Sequence, residues 1–253
     1  MSLIEHSAGG YCFLPGGTAY SGGVRAQPGY ALIRATLSEA TPYIRGLEAV
    51  SHHLGGLGRP LAALCAVELR VPRPLSFAAF AALNAGYIAR LGEHGLLVDG
   101  CSPLARTNVA PEIPVLRSDE VMLHAFVYTV PHSSDLARAG FVLSGVGEVR
   151  DDASGREAIV RVGDRSDDAL REKASFVINA VERQLAALGS AWIDVTHAAM
   201  YTVHLPLPTL TDHVLTTSGP AARYGVHWFY SRPPIEEIEF EFDVRGLRGE
   251  EYL

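Results

Sequence analysis

Two arginines stand in similar phrases, one in each half of the chain. Arg106 lies within Leu-Ala-Arg-Thr-Asn-Val at 104–109, and Arg223 lies within Ala-Ala-Arg-Tyr-Gly-Val at 221–226. A guanidinium is permanently charged and binds a carboxylate through a two-point fork. The repeated phrase therefore predicts that each half presents one arginine to a carboxylate ligand. The alternative is that each arginine forms a structural ion pair at a domain interface.

Acid and base chemistry has candidates near the end of each half. Four glutamates crowd one strand-like run of the second half: Glu236, Glu237, Glu239 and Glu241. A carboxylate in a confined pocket can have its pKa raised toward neutrality and so carry protons, although an alternating acidic strand is usually a solvated face. In the first half, His124 interrupts an apolar run. It could transfer protons near neutral pH, or it could be a core histidine with satisfied hydrogen bonds.

An aromatic cluster precedes the acidic run. It consists of His227, Trp228, Phe229 and Tyr230, and Arg232 stands beside it. This composition suits a flat, conjugated substrate that carries a second carboxylate. Aromatic side chains are also good anchors of subunit interfaces. His227 is therefore a candidate for substrate contact, with packing between subunits as the alternative.

Several other chemistries lack the residues that they need. Lys173 is the only lysine and lies on a charged helix flank, which argues against a Schiff-base lysine. His52 and His53 are adjacent and so point to different helix faces. No His-Glu-x-x-His, paired-cysteine or Gly-x-Ser-x-Gly motif occurs. We therefore expect a mechanism that uses no metal and no organic cofactor.

Composition limits the partners and the compartment. The 253 residues carry a formal net charge of -7 and a pI of about 5.8, which argues against a nucleic-acid partner. Three cysteines with no close pairing fit a reducing compartment. The sequence contains no recognisable leader pattern and no apolar run long enough to span a bilayer. We expect a cytoplasmic protein that does not enter a membrane.

The elements that must position these residues follow the same order in both halves. In the first half, turn residues and apolar periodicity predict strands within 11–37, a helix over 42–57, a strand over 64–71, a helix over 77–91 and a strand over 120–130. In the second half they predict strands over 141–150 and 157–162, a helix over 166–188, a strand over 195–203, a shorter helix within 206–221 and a closing strand over 235–244.

The repeated order predicts two domains, 1–132 and 133–253, with a polar connector that begins at Ser133. Strands and helices in this order indicate an α+β fold. Each domain is expected to contain a mixed sheet with two helices packed on one face.

These elements and several local phrases resemble the RidA (YjgF) family of enamine and imine deaminases. The matching pieces are Ser21-Gly22 and Ser144-Gly145, the Leu-x-x-Leu-Gly helix end, Asn84 with Tyr87, the two arginine phrases, and Glu237-Ile238-Glu239. The tandem layout and the stretch 226–234 look most like the 2-aminomuconate deaminase branch. The resemblance implies two chorismate-mutase-like domains and a homotrimer of six domains, with active sites between neighbouring domains.

The resemblance also implies roles for individual residues. Arg106 and Arg223 match the family's carboxylate-binding position, and Glu239 matches its acid on the closing strand. His124 stands at the position of that acid in the first half. Asn108 stands where the family often has cysteine, and it could donate to a carboxylate or merely satisfy a turn.

Two further residues match positions beside the family's pocket. Tyr20 precedes the early Ser-Gly pair, and Asn84 lies on the second predicted helix. The alternatives are that Tyr20 packs in a turn and that Asn84 is a surface amide.

We therefore expect an enzyme that hydrolyses an enamine or imine to ammonia and a 2-oxo acid. The leading substrate is 2-aminomuconate or a substituted aminomuconate from the catabolism of aromatic compounds. One alternative is a generic scavenger of 2-aminoacrylate and small imines. Another is a protein that binds a small carboxylate without turnover, because a fold does not fix function.

Overall fold

The computed structural model describes residues 2–112, 119–133, 139–204 and 214–253. Most of the predicted connector and the first part of the predicted helix within 206–221 lie outside these ranges. The strands of the described residues are β1 (Ile4–His6), β2 (Tyr11–Leu14), β3 (Gly23–Ala26), β4 (Tyr30–Pro42), β5 (Leu64–Arg70), β6 (Ala105–Pro111), β7 (Met122–Pro131), β8 (Phe141–Leu143), β9 (Val146–Gly147), β10 (His197–Tyr201), β11 (His227–Phe229), β12 (Ser231–Arg232), β13 (Glu241–Gly246) and β14 (Gly249–Tyr252).

The α-helices are α1 (Tyr43–Gly56), α2 (Phe77–Glu93), α3 (Asp167–Ala187) and the single turn α4 (Thr216–Ser218). Short 3-10 turns cover Leu61–Ala63, Gly155–Ala158, Trp192–Asp194 and Gly219–Tyr224.

The three long helices begin and end close to their predicted positions. Helix α1 buries Leu47, Val50 and Leu54, which recur at helical spacing. The hydroxyls of Ser76 and Ser166 cap α2 and α3 by accepting backbone N–H groups of the first turn. Apolar periodicity and capping residues together explain why these three predictions are confirmed.

Two strand predictions are wrong for local reasons. The stretch 157–162 forms no strand, because Ile159 makes one isolated bridge to Val149 and Arg161 takes a left-handed φ of 47°. The closing strand begins at Glu241 rather than at 235, because Glu237 takes a left-handed φ of 65°. A non-glycine residue in that region interrupts extended backbone.

Two mixed sheets contain strands from both halves of the chain. One has the order β1-β2-β3-β8-β13-β10-β11, with β9 also paired to β13, and the other has the order β12-β6-β5-β7-β4-β14. Strands β5 and β6 are parallel, as are β10 and β11. Because hydrogen-bonded strands cross the boundary at 132/133 in both directions, the division into two domains at that point stays a prediction.

The helices cover the sheets with separate apolar cores. Leu54 of α1 and Leu91 of α2 share a core with Phe126 of β7, and Val177 of α3 shares another with Phe242 of β13. This arrangement confirms the α+β fold class. Within the described ranges, the second half has one long helix rather than two, and no helix there is long and apolar enough to cross a membrane.

Polar side chains connect the two sheets. Thr107 of β6 donates to Asp243 of β13 at 2.9 Å, and Arg245 of β13 pairs with Glu68 of β5. All four side chains are buried. Buried ionic groups are tolerated when they are paired and hydrogen-bonded, as these are. Strand β6 of one sheet and strand β13 of the other therefore present polar side chains to each other where the two sheets meet.

Candidate active site

Arg106 lies on β6, and aromatic rings surround its guanidinium group. Its guanidinium carbon lies 4.6 Å from the ring centroid of Tyr20 and 4.8 Å from that of Tyr87. Its Nη2 donates to Asn84 Oδ1 at 2.5 Å. Burial lowers the pKa of Arg106, yet a guanidinium stays charged in proteins. The surroundings therefore fix the orientation of a buried cation.

One end of this cation has no partner among the described residues. Nη1 of Arg106 is buried and makes no hydrogen bond within the described ranges. Both amide atoms of Asn108, two residues further along β6, are likewise buried without a partner there. Buried polar groups normally find partners, and each one that does not is a candidate for ligand contact. Arg106 and Asn108 together offer N–H donors and an amide acceptor.

These groups line a cavity of about 310 Å³. Its apolar wall includes Phe77 and Phe80 of α2 and Ile235 and Ile238 of the segment before β13. A small conjugated molecule fits such a space, with the plane of its double bonds against apolar groups and its charged end at Arg106.

Glu241 is the acidic group of this cavity, and no pattern in the sequence distinguishes it from the neighbouring glutamates. The side chain begins β13, is 4% exposed and lines the cavity with Arg106. Burial raises its pKa well above the ordinary value, and the carboxylates of Asp243 and Glu148 raise it further. The nearby Arg106 opposes these effects. Glu241 is therefore a carboxylic acid that keeps its proton at unusually high pH.

Gly145 makes room for Glu241. A Cβ at this position would collide with Glu241 Oε1, so only glycine allows the carboxyl group to lie against this backbone. The Gly145 N–H donates to the Arg106 carbonyl at 3.1 Å, and the Arg106 N–H donates to Ser144 Oγ at 3.0 Å. The Ser-Gly pair of the second half thus connects the arginine strand of the first half to the acid of the second half.

Glu239 lies outside this cavity. Its carboxylate accepts from Arg165 Nε at 2.6 Å and is 2.8 Å from His204 Nε2, and Arg232 Nη1 lies 3.8 Å away. Burial alone would raise the pKa of Glu239, but the hydrogen bonds from His204 and Arg165 outweigh burial and hold it at about 2. Such a carboxylate is stably ionised. Its predicted role in proton transfer stays a prediction.

Arg223 also lies elsewhere. It belongs to the 3-10 turn Gly219–Tyr224, is exposed and stacks on the ring of Tyr224 at 4.6 Å. It lines a smaller cavity of about 170 Å³ with Arg248. The two similar arginine phrases therefore have different backbone structures, one a strand and the other a turn. Whether Arg223 binds a carboxylate stays a prediction.

His124 and His227 meet in another cavity. It has a volume of about 280 Å³ and is also lined by His197, Arg34 and Arg245. The structure thus brings six of the eight predicted residues into two groups and leaves Glu239 and Arg223 apart from both. Tyr20, Asn84, Arg106 and Asn108 gather with Glu241, whereas His124 and His227 gather with each other.

The same residues define what else the site could hold. Among the described residues, no group of three or more histidine, cysteine, aspartate or glutamate side chains is arranged to hold a metal ion. The three cysteines, Cys12, Cys65 and Cys101, are free thiols. The polar groups of the Arg106 cavity are a guanidinium, an amide and a carboxyl group whose pKa is raised, a set that suits an anion.

The chain has relatives along its whole length. A family model described as 2-aminomuconate deaminase CnbZ matches residues 3–251. The 2-amino-5-chloromuconate deaminase of Comamonas testosteroni is 37% identical over 253 residues, which cover 99% of this chain and 98% of that protein.

Solved structures are similar at a lower level. A chorismatase is 13% identical, with 89% of this chain and 77% of that chain covered and a TM-score of 0.45. The YjgF gene product of E. coli is 17% identical, with 47% of this chain and 87% of that chain covered and a TM-score of 0.30. These partial similarities carry no argument about activity.

Proposed function

Because the chain belongs to the family of 2-aminomuconate deaminase CnbZ, we propose that it hydrolyses 2-aminomuconate or a substituted aminomuconate to ammonia and a 2-oxo acid. The observation that carries the proposal is that one cavity contains two complementary groups. One is the buried guanidinium of Arg106, whose Nη1 has no hydrogen-bond partner among the described residues, and the other is the carboxyl group of Glu241, whose pKa is raised. An enamine of an amino acid needs both a cation for its carboxylate and an acid for its carbon.

Substrate binding begins at Arg106. The free Nη1 receives a substrate carboxylate oxygen, while Asn84 and the flanking rings keep the guanidinium in place. A charge-assisted hydrogen bond in a buried site is stronger than a neutral one. Asn108 supplies a donor and an acceptor beside the carboxylate. The conjugated chain then lies against the apolar wall formed by residues such as Phe80 and Ile238.

Glu241 carries the proton. Its carboxyl group gives a proton to a carbon of the enamine, the nitrogen lone pair forms the C=N bond, and an iminium results. The Glu241 carboxylate then takes a proton from water as the water oxygen bonds to the iminium carbon. It returns that proton to nitrogen. The carboxylate then takes the proton of the new hydroxyl group as the C=O bond forms, the C–N bond breaks and ammonia leaves, so Glu241 is protonated again. A general acid works best when its pKa lies near the working pH, which the raised pKa of Glu241 favours.

Assembly and location belong to the same proposal. We place the enzyme in the cytoplasm as a homotrimer of six domains, acting in the catabolism of aromatic compounds without a cofactor. The free cysteines fit a reducing compartment. The acidic balance, a net charge of -7, supports a small-molecule substrate over nucleic acid.

The test compares substrates. Ammonia release is measured with a coupled assay on freshly generated 2-aminomuconate and, separately, on 2-aminoacrylate. We expect release from 2-aminomuconate at a much higher kcat/KM. Faster release from 2-aminoacrylate would favour a generic imine scavenger. Recovery of unchanged ligand with no ammonia from either compound would favour a binding protein.

A further inference from the structure

The duplication builds a second pair of facing residues. Strand β5 lies between its parallel partner β6 and its antiparallel partner β7, and β10 lies in the same way between β11 and β13. The two triplets of strands, one in each sheet, therefore have the same arrangement.

The outer parallel strand of each triplet carries a polar residue. In the first triplet, Arg106 on β6 pairs with Val67 of β5. In the second, His227 on β11 pairs with Ala199 of β10. Strand β11 therefore corresponds to β6, and His227 and Arg106 lie on corresponding strands.

The antiparallel strands correspond in the same way. Glu241 lies on β13, and His124 lies on β7. Arg106 of the first half meets Glu241 of the second half in one cavity. His227 of the second half meets His124 of the first half in the other. Each cavity thus combines a residue from the outer parallel strand of one triplet with a residue from the antiparallel strand of the other, and in the second cavity both are histidines.

The imidazoles are the groups of this second cavity that are left for a ligand. Arg34 and Arg245 also line it, but both are paired with Glu68. The imidazole rings of His124 and His227 make no hydrogen bond to the described residues. Imidazole N–H groups donate to carboxylate oxygens, and the ring can take up a proton when an anion binds.

We propose that this cavity of about 280 Å³ is a second binding site, which holds a small carboxylate through His124 and His227. The proposal rests on the proposed function only for the choice of carboxylates as the ligand class. The site provides neither the fixed cation nor the carboxylic acid of the Arg106 cavity, so it binds without deaminating.

Binding at this site weakens as pH rises. Burial is the largest of the causes that lower the pKa of His124 to about 4; the charges of Arg70, Arg34 and Arg245 act in the same direction, and the charge of Glu68 opposes them. The unliganded imidazole is therefore neutral at pH 7. A bound carboxylate favours the charged imidazole, so binding takes up a proton and the affinity falls by up to about tenfold per pH unit.

On the other face of the cavity, the His227 ring meets the His197 ring at 5.9 Å between centroids, and His197 Nε2 lies 3.5 Å from Glu250 Oε2. Burial lowers the pKa of His197, and the charges of Arg245 and Arg34 lower it against the opposing charge of Glu250. Arg34 and Arg245 are already paired with Glu68, so additional positive charge for a ligand comes from protonation of an imidazole.

The test is calorimetric titration of the full chain with cis,cis-muconate, a dicarboxylate that has no amino group to lose. We expect two sites per chain at pH 6. His227→Ala and His124→Ala should each abolish one site, and Arg106→Ala should abolish the other. His52→Ala, an exposed histidine on α1, is the matched control and should keep both. The His227 variant is the safer one because this side chain is exposed and makes no hydrogen bond.

A single site per chain in the wild type, or two sites retained in His227→Ala, would overturn the inference. Ammonia release by the same wild-type preparation tests the proposed function separately. Deamination with no second site would refute this inference alone, whereas two sites without deamination would refute the proposed function alone.

Discussion

Neighbouring groups, rather than residue type, decide what each glutamate near the closing strand can do. Glu239 and Glu241 are two residues apart and both are buried. Glu239 receives hydrogen bonds from Arg165 and His204, which hold its pKa at about 2. Glu241 accepts no such hydrogen bond from the described residues, so burial raises its pKa instead. At the scale of single residues, this contrast supports the proposed role of Glu241 in proton transfer.

Glu241→Gln should lose most of its activity. The amide keeps the shape of the side chain but cannot give a proton to the substrate carbon, and a positioned acid contributes about 10²- to 10⁴-fold. We expect kcat for ammonia release to fall by that factor while KM changes little. Glu239→Gln is the comparison. A larger loss of kcat in Glu239→Gln than in Glu241→Gln would reverse the assignment.

Glu241 should also make stability depend on pH. The pKa of Glu241 is raised in the folded protein, so its contribution to stability is fully present below the ordinary glutamate value of about 4.3 and is lost as pH rises through the raised folded-state pKa. Glu241→Gln has no such proton to lose. We expect its free energy of unfolding in urea to fall less than that of the wild type between pH 5 and pH 9. Equal losses in the two proteins would contradict the raised pKa.

The sequence identifies the arginine of the site but not its acid. Arg106 is found because its phrase is repeated and because it matches a family motif. Glu241 is hidden among four glutamates whose alternation is typical of a solvated face. Its distinguishing contact is with Gly145, nearly a hundred residues away, and no local pattern encodes that approach. The alternation of Glu241, Asp243 and Arg245 was the available signal that one face of β13 is polar.

At the scale of elements, a buried ion pair connects α3 to the start of β13. Lys173 Nζ lies 3.1 Å from Glu148 Oε1 and donates to the Val160 carbonyl at 2.7 Å, with both charged side chains fully buried. The Glu148 carboxylate in turn accepts the backbone N–H groups of Glu239 and Phe240. These two residues immediately precede Glu241, so the pair fixes the backbone that presents the acid.

Removing the lysine should be costly. Lys173→Met leaves Glu148 charged and buried without its cation, and breaking a buried pair costs about 3–5 kcal/mol. We expect a loss of that size in the free energy of unfolding, measured in urea. Arg171→Met is the control, because Arg171 is exposed and its pairing with Asp168 is a surface contact worth about 0–1 kcal/mol. Equal stability of the two variants would show that the buried pair contributes nothing.

The sequence predicts best those elements in which apolar residues recur at a regular spacing. Helix α1 repeats apolar residues at spacings that only a helix places on one face, and its bounds follow. The predicted start of the closing strand is wrong because Glu237 takes a positive φ, which its residue type does not predict. The sequence also does not predict that β3 pairs with β8, because the order of strands in a sheet depends on contacts between distant segments of the chain.

At the scale of the whole molecule, β11 is the feature that bears on assembly. This strand lies at the edge of its sheet among the described residues. Trp228 is 45% exposed and Tyr230 is 50% exposed, and their rings pack against each other at 6.4 Å. An edge strand with exposed aromatic residues is a surface that other chains can cover. It is the surface on which the proposed trimer most directly depends.

Tyr230→Asp should weaken that assembly. A charge placed in an apolar interface loses its hydration when a second chain covers it. By light scattering, we expect the wild type to have three times the chain mass of 27.1 kDa and the variant to have less. Ile44→Asp, at an exposed apolar residue of α1, should leave the mass unchanged. A wild-type mass of one chain would contradict the trimer.

The central claim is that Arg106 holds the substrate carboxylate for deamination, and its most direct test is kcat/KM for ammonia release from 2-aminomuconate. Arg106→Ala should lower kcat/KM by about 30- to 5,000-fold, because truncating a buried, charge-paired donor costs about 2–5 kcal/mol. Arg73→Ala, at an exposed arginine outside the cavity, should match the wild type. If Arg106→Ala retained the wild-type kcat/KM, or if Arg223→Ala alone abolished it, the claim would be contradicted.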